Sequence, residues 1–290
     1  MKIEIAADVT NILGESPFWD EVSGALWWVD IKQCRLYRRR EETAVVDMWT
    51  LPRAATVVTS IQDSKDMLLA CTGALMRFNV DSGECVEVSP FEADLVGNRP
   101  NDGKCDPQGR LWVGSMDDAE EHNNGTLYRI DKDLSVTSVL GGLGIPNTLE
   151  WSADRKIFYF ADSRQQTIWA FDYDNSTGAI ENRRVFASLK GTGFYPDGSA
   201  IDAEGFLWNA QWNGWRVVRY APDGSIDRVV DLPVACPTSC MFGGDNLQTL
   251  FVTSARVGQS EAALARQPHA GDVFMLAPGV KGLRQTAFQT

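Results

Sequence analysis

Apolar and polar residues alternate along most of the chain, in short segments such as RLYRR and TIWAFDYD. A period of two is that of a β-strand with one face buried. The segments are separated by turns rich in Asp, Gly, Asn and Ser, and no long stretch follows the period of an amphipathic helix. The pattern therefore predicts an all-β protein built from many short strands.

The alternating segments belong to a repeated unit, in which a polar residue, an apolar stretch and an Asp- and Gly-rich turn precede a strongly apolar strand. Clear copies read ESPFWDEVSGALWWVD, NDGKCDPQGRLWVGSM, NTLEWSADRKIFYFAD, DGSAIDAEGFLWNAQW and TSCMFGGDNLQTLFVTSA, and a degenerate copy reads VVTSIQDSKDMLLACTG. The apolar or aromatic doublets that mark these copies start at positions 27, 68, 111, 158, 207 and 250. This is the spacing of propeller blades, so the chain is predicted to form a six-bladed β-propeller. A two-sheet sandwich, the alternative, gives no reason for a sixfold repeat.

The ends of the chain bear on how such a ring is organised. No Pro/Gly/Ser-rich or charge-rich stretch divides the sequence, so residues 1–290 are expected to form a single domain. The opening segment KIEIAADV alternates polar and apolar residues and is predicted to add a strand to the last blade. A strand from the first residues would close the ring and leave no open sheet edge.

Charge and composition exclude several classes of function. The formal net charge is −12 and the only basic run, at residues 38–40, is followed at once by two acids, so nucleic acid is not an expected partner. The chain shows neither a secretory leader nor an apolar run long enough for a membrane, which favours a cytoplasmic protein with no membrane partner. An acidic surface without an evident apolar strand favours a monomer. Two histidines and six cysteines without a CxxC pair do not indicate a histidine- or thiolate-bound metal.

The residues that open the repeats point to chemistry on the propeller axis. The innermost strand of each blade lines the channel, so these residues are expected to meet at one mouth of it. Four of the six carry a carboxylate or amide oxygen, and they are Glu15, Asn101, Asn147 and Asp197. Oxygen donors buried together suit one divalent ion, with Ca, Mg, Mn and Zn as candidates. The alternative is that these residues are turn formers, the role expected of Asp20, Asp106 and Asp202.

Several long motifs in a fixed order carry a family resemblance. ILGESPFW, RPNDGKCDPQGRLWVGSM, PNTLEWSADRKIFYFADS, YPDGSAIDAEGFLW and TSCMFGGDNLQTLFVTSAR together resemble the regucalcin/gluconolactonase (SGL) family. The resemblance runs from about Glu15 to Gly271 and implies a six-bladed propeller, a single divalent ion and hydrolysis of aldonolactones. It agrees with the fold that the repeats predict.

Residue by residue, the resemblance implies six roles, for which seven side chains are candidates. Glu15, Asn147 and Asp197 correspond to metal ligands, and Arg99 and Asn101 correspond to contacts with the ring oxygens or hydroxyls of the substrate. A further substrate-contacting Glu falls in the stretch DDAEEHNNG, where both Glu120 and Glu121 are candidates.

These observations lead to a functional hypothesis. The protein is expected to hydrolyse an aldono- or aldarolactone to the free sugar acid at a divalent ion, with Asp197 as the base that deprotonates water. The same site could instead open phosphotriesters or aryl esters, and a propeller that binds calcium or a partner protein without catalysis is the rival from another class.

Overall fold

The computed structural model describes all 290 residues and consists of six four-stranded antiparallel sheets. The chain begins with strand β1 (Ile3–Ala7), and the strands of each blade then follow one another outward from the channel. Blades one and two comprise β2 (Gly14–Asp20), β3 (Ala25–Asp30), β4 (Arg35–Arg40), β5 (Val46–Thr50), β6 (Ala55–Ser60), β7 (Met67–Cys71), β8 (Ala74–Phe78) and β9 (Cys85–Pro90). Blades three and four comprise β10 (Asn98–Cys105), β11 (Leu111–Asp117), β12 (Gly125–Ile130), β13 (Val136–Leu143), β14 (Pro146–Trp151), β15 (Ile157–Asp162), β16 (Thr167–Asp174) and β17 (Ala179–Ser188). Blades five and six comprise β18 (Tyr195–Ile201), β19 (Leu207–Trp212), β20 (Arg216–Tyr220), β21 (Ile226–Asp231), β22 (Pro237–Gly243), β23 (Thr249–Ser254) and β24 (Val273–Leu276).

The six sheets form a closed ring, which confirms the six-bladed β-propeller. Each innermost strand packs against the next, and β22 of the last blade packs against β2 of the first. Strand β1 pairs antiparallel with β24, with Ile3 opposite Leu276, and so supplies the outermost strand of blade six. The predicted closure by the first residues of the chain is thereby confirmed.

Large aromatic side chains fill the space within and between blades. Trp27, Trp28, Trp112 and Trp208 are all fully buried. Two of these indoles are held by repeat-equivalent carboxylates, because the Nε1 groups of Trp112 and Trp208 each donate a 2.9 Å hydrogen bond to the carboxylate six residues earlier. Those carboxylates, like Asp20, also accept hydrogen bonds from the backbone of their own turns, which confirms their predicted role as turn formers.

Helical structure is confined to loops. It comprises one short α-helix, α1 (Glu261–Leu264), and 3-10 turns at Ser163–Gln165 and Asp245–Leu247. None of these segments has the length and apolar character that crossing a bilayer would require.

The segment after β24 crosses the end of the channel at which the inner strands finish. Lys281 accepts a hydrogen bond from Ala203 of blade five, and Phe288 pairs through its backbone with Ser60 and Gln62 of blade two. The Phe288 ring is 1% exposed and packs in the apolar cluster between blades two and three. The tail therefore ties blades on opposite sides of the ring together.

We expect that Phe288→Ala lowers the free energy of unfolding by about 3–5 kcal/mol, because it removes a fully buried aromatic ring. The measurement is urea unfolding followed by tryptophan fluorescence. Val22→Ala is the matched control, since Val22 is 95% exposed in the turn after β2, and it should change stability by less than about 0.5 kcal/mol. A loss below about 1 kcal/mol for Phe288→Ala would show that the tail contributes little to the ring.

Candidate active site

A cavity of about 530 Å³ opens at the end of the channel where the inner strands begin. Its size is typical of small-molecule sites. Six of the seven residues singled out from the sequence line it, and they are Glu15, Arg99, Asn101, Glu120, Asn147 and Asp197. The prediction that separate repeats converge on one mouth of the channel therefore agrees with the geometry.

A β-bulge turns each of these inner strands at the repeat-equivalent position. The register of β2 shifts between Glu15 and Phe18, and that of β14 shifts between Asn147 and Glu150. The other four inner strands carry the same irregularity. A bulge places two residues opposite one and re-aims their side chains, which is how Glu15 and Asn147 come to face the cavity.

The bulges require unusual backbone conformations and close approach. Ser16 and Thr148, each directly after a site residue, have φ of 51° and 55°. Gly198 follows Asp197, and a β-carbon there would lie only 2.0 Å from Oγ of Ser239 on the neighbouring inner strand. Glycine is therefore required after Asp197 to let blades five and six pack together.

Three carboxylates meet in the buried part of the cavity and the channel beneath it. Burial, followed by the charge of Asp102, raises the pKa of Glu15 to about 8. Burial, followed by the charges of Glu15 and Asp102, raises the pKa of Asp197 well above its ordinary range. Burial also raises the pKa of Asp102, to about 6, against the opposing effect of Lys104. Because the charges of Asp102 and Glu15 raise the pKa values of neighbouring acids, the three carboxylates lie close to one another, in surroundings that disfavour several negative charges.

Asp102 was not singled out from the sequence. It follows Asn101 at the bulge of β10, and a regular strand would have pointed it away from the channel. Its position in the repeat could have indicated its role, because the residues that follow Glu15, Asn147 and Asp197 in the equivalent position are Ser16, Thr148 and Gly198. Only in blade three is that residue a carboxylate.

The amide of Asn147 is oriented by its neighbours. Its Nδ2 donates a 2.8 Å hydrogen bond to Oγ of Ser163, and its Oδ1 accepts one of 3.2 Å from Nδ2 of Asn101. The oxygen of Asn147 therefore faces the side of the cavity on which Asn101 lies. The oxygen donors that line the cavity together are the carboxylates of Glu15 and Asp197 and this amide oxygen, a set that suits a divalent ion. Raised pKa values in the two carboxylates are the sign that a cation would stabilise them.

Arg99 is held firmly at the wall of the cavity. Its Nε donates a 2.6 Å hydrogen bond to Asp118, and its Nη1 donates to Oδ1 of Asn101 at 2.8 Å and to the carbonyl of Pro100 at 3.0 Å. Its Nη2 makes no hydrogen bond within the protein. A fixed guanidinium with one free amino group is a suitable donor for a bound ligand.

The two glutamates of the following loop occupy different positions. Glu120 lines the cavity, and its backbone adopts a φ of 59°. Glu121 does not line the cavity, and its backbone N–H donates to Asp117 at 3.0 Å. Trp212, the last residue of β19, also lines the cavity.

An ion pair lies deeper in the channel. Nζ of Lys104 is 2.6 Å from Oε2 of Glu150 and 2.8 Å from the carbonyl oxygen of Ser199. Both charged side chains are largely buried. Below them, Gln285 and Thr286 of the C-terminal tail line the next small cavity. The channel is thus blocked on the side away from the 530 Å³ cavity.

Comparison with known proteins gives concordant results. Residues 13–256 match the family described as the SMP-30/gluconolactonase/LRE-like region. Regucalcin of Oryctolagus cuniculus is 38% identical over 98% of this chain and 97% of its own, and L-arabinolactonase of Azospirillum brasilense is 37% identical over 98% and 94%. A crystal structure of the calcium-binding protein regucalcin from Agrobacterium tumefaciens superposes with a TM-score of 0.95 at 31% identity, covering 99% of this chain and 97% of that one. The chain therefore belongs to the SMP-30/gluconolactonase/LRE-like family.

Proposed function

We propose that this protein hydrolyses a sugar lactone to the free sugar acid with the help of one divalent ion. The observation that carries the proposal is the convergence of two buried carboxylates and an oriented amide oxygen beneath a fixed arginine in one open cavity. The names of the relatives support the reaction class, since one is called an L-arabinolactonase and the family description includes gluconolactonase. The partner is then a small-molecule lactone, and the protein acts as a monomer.

Glu15, Asn147 and Asp197 would hold the ion. Their oxygens suit calcium, magnesium or manganese and also admit zinc, and the description of the Agrobacterium regucalcin as calcium-binding favours calcium. When bound, a divalent ion supplies Lewis-acid stabilisation of the negative charge that develops on a lactone carbonyl oxygen.

The side chains of the protein supply the remaining chemistry. Asp197 accepts a proton from the attacking water and returns it to the ring oxygen as the acyl C–O bond of the lactone breaks, so that one carboxylate acts first as base and then as acid. The free Nη2 of Arg99 and the amide of Asn101 bind the hydroxyls or ring oxygen of the sugar. Glu120 accepts a hydrogen bond from a further hydroxyl at the rim.

The cavity also separates this proposal from its rivals. A protein that only bound calcium would have no use for a fixed donor such as Arg99 beside the carboxylates. Phosphotriester and aryl ester substrates lack the row of hydroxyls that Arg99, Asn101 and Glu120 are placed to bind. The geometry therefore favours a polyhydroxylated lactone.

The raised pKa values make the stability of the ion-free protein depend on pH. A carboxyl whose pKa rises on folding holds its proton more tightly in the folded state, so the free energy of unfolding falls as pH rises from the unfolded to the folded pKa. For Glu15 this window runs from 4.5 to about 8. We expect a loss of about 2–4 kcal/mol between pH 5 and pH 8 in chelated protein, measured by urea unfolding.

The Glu15→Gln variant, which has no proton to lose at this position, should show a clearly smaller loss over the same range. Saturating calcium should restore the stability of the unaltered protein at pH 8, because a ligand that binds only the folded state stabilises it. Equal pH dependence in both proteins would contradict the assignment of the raised pKa to Glu15.

Asp197→Asn should separate proton transfer from ion binding, because the amide retains an oxygen donor but cannot accept the proton. We expect kcat to fall by about 10³- to 10⁴-fold at saturating ion concentration, measured as acid release with a pH indicator. Asp223→Asn is the control: Asp223 lies in an exposed turn at the other end of the blade, and this variant should keep its activity. Unchanged kcat in the Asp197 variant would exclude this residue as the base.

Arg99→Lys should act mainly on substrate binding. Lysine keeps the positive charge, but it lacks the forked guanidinium that hydrogen-bonds to Asp118 and Asn101 and still leaves one amino group free. The expected result is a rise of about 10-fold or more in KM with a smaller change in kcat, in steady-state assays with the best lactone. An unchanged KM would indicate that Arg99 is a structural residue only.

A further inference from the structure

Three cationic side chains line the rim of the cavity, and two of them share a carboxylate. Lys32 and Arg99 both contact Oδ1 of Asp118, at 2.8 and 2.6 Å. The third, Arg164, forms no salt bridge; its side chain makes one hydrogen bond, from Nη1 to the carbonyl oxygen of Glu120 at 3.0 Å. Arg164 is therefore the one lining cation without a carboxylate partner.

Arg164 is exposed at the rim, and one hydrogen bond and one packing contact orient its side chain. Its backbone N–H donates to Oδ1 of Asp162 at 3.1 Å, which caps the 3-10 turn. Its aliphatic stem lies against Gly144, where a β-carbon would come within 2.6 Å of Cδ of Arg164. With Nη1 tied to the loop of blade three, Nε and Nη2 stay free to donate. The two free donors point to the space in which a ligand would lie, and forked donors of this kind match an anionic group.

The position of Arg164 relates it to the proposed reaction centre. It follows Ser163, whose Oγ accepts the hydrogen bond that orients Asn147. The Arg164 side chain therefore rises from the same turn that fixes one of the proposed ion ligands. A ligand whose carbonyl lies over Asn147 and Asp197 would extend its far end toward the rim.

The charges of the rim suit a single negative group. Lys32, Arg99 and Arg164 carry three positive charges, and Asp118 and Glu120 carry two negative ones. Arg164 is the rim cation that has no carboxylate within salt-bridge distance, on a protein whose formal net charge is −12. A local positive site on an acidic surface selects an anionic ligand.

We propose that the preferred substrate is a lactone with a free carboxylate at the end of the carbon chain opposite the lactone carbonyl, as in an aldarate monolactone, and that Arg164 binds this carboxylate. The forked donors of arginine match the two oxygens of a carboxylate, which a neutral aldonolactone does not offer at that end. This inference rests on the proposed lactonase function.

The test compares D-glucaro-1,4-lactone with D-glucono-1,4-lactone, which has a hydroxymethyl group in place of the carboxylate. Acid release is measured with calcium-loaded protein. The unaltered protein should have the higher kcat/KM for the glucarolactone. Arg164→Leu should lower kcat/KM for that substrate by about 10- to 100-fold, mainly through KM, and change the value for the neutral lactone by less than about threefold. The kcat/KM of Arg164→Lys for the glucarolactone should lie between the values of the unaltered protein and of Arg164→Leu.

Lys132→Leu is the matched control, because it removes the same charge from an exposed hairpin at the opposite end of the blades. It should leave both substrates unaffected, which separates direct binding from the general field of the protein. Titration calorimetry with the product, D-glucarate, gives a second readout. Arg164→Leu should raise the dissociation constant of D-glucarate by a similar factor.

The outcomes distinguish the two proposals. Faster turnover of the neutral lactone, or an equal loss on both substrates in Arg164→Leu, would overturn the carboxylate assignment and leave the lactonase function intact. Preference for 6-phospho-D-gluconolactone, after correction for its spontaneous hydrolysis, would replace the carboxylate by a phosphate. No turnover of any lactone with any divalent ion would overturn the proposed function and this inference with it.

Discussion

Closure of the ring by β1 is the constraint on which the rest of the structure depends. Strand β24 has four residues and would be an open sheet edge without β1 beside it. Once Ile3 lies opposite Leu276, hydrogen bonds hold β1 in the last blade, and the chain that continues from β1 into β2 joins this blade to the first. Only then do residues as distant in sequence as Glu15 and Asp197 share one cavity. The C-terminal tail adds a second tie across the far face of the ring, since Phe288 packs between blades two and three.

Because the inner strands meet around one axis, their carboxylates are buried close together, which is electrostatically unfavourable before any ligand binds. Burial raises the pKa of Glu15, Asp102 and Asp197, the charge of Asp102 adds to this effect at Glu15 and Asp197, and Arg99 only partly offsets it at those two. Groups arranged in this way cost stability in the protein alone, and the proposed divalent ion would offset that cost. Deeper in the channel the same problem is solved within the protein, because Lys104 pairs directly with Glu150. The contrast distinguishes a site prepared for a ligand from one that is complete in itself.

The sequence predicts the repeat-determined parts of this structure and fails where regularity ends. The blade count and the convergence of Glu15, Asn101, Asn147 and Asp197 follow from the repeat spacing, and the closing strand follows from the alternating pattern of the first residues. Asp102 was not predicted, because a β-bulge turns it into the channel and a bulge has no characteristic sequence pattern. The choice between Glu120 and Glu121 depends on a left-handed backbone conformation at Glu120, a non-glycine residue, and no local pattern announces it.

The residues of the proposed reaction centre and the residues proposed to select the substrate also lie in different parts of the fold. The proposed ion ligands lie on inner strands whose positions are fixed by the whole ring. Arg164 and Glu120 lie instead in loops that join the second and third strands of their blades, where the hydrogen bond from Arg164 to the Glu120 carbonyl links blades three and four. Loops tolerate change more readily than the strands that support them. Gly144 shows how small such a change can be, since a single β-carbon there would displace the stem of Arg164 and with it the free guanidinium donors at the rim. Members of a family with one reaction centre can therefore differ in the charge of the lactone they accept without any change on the propeller axis.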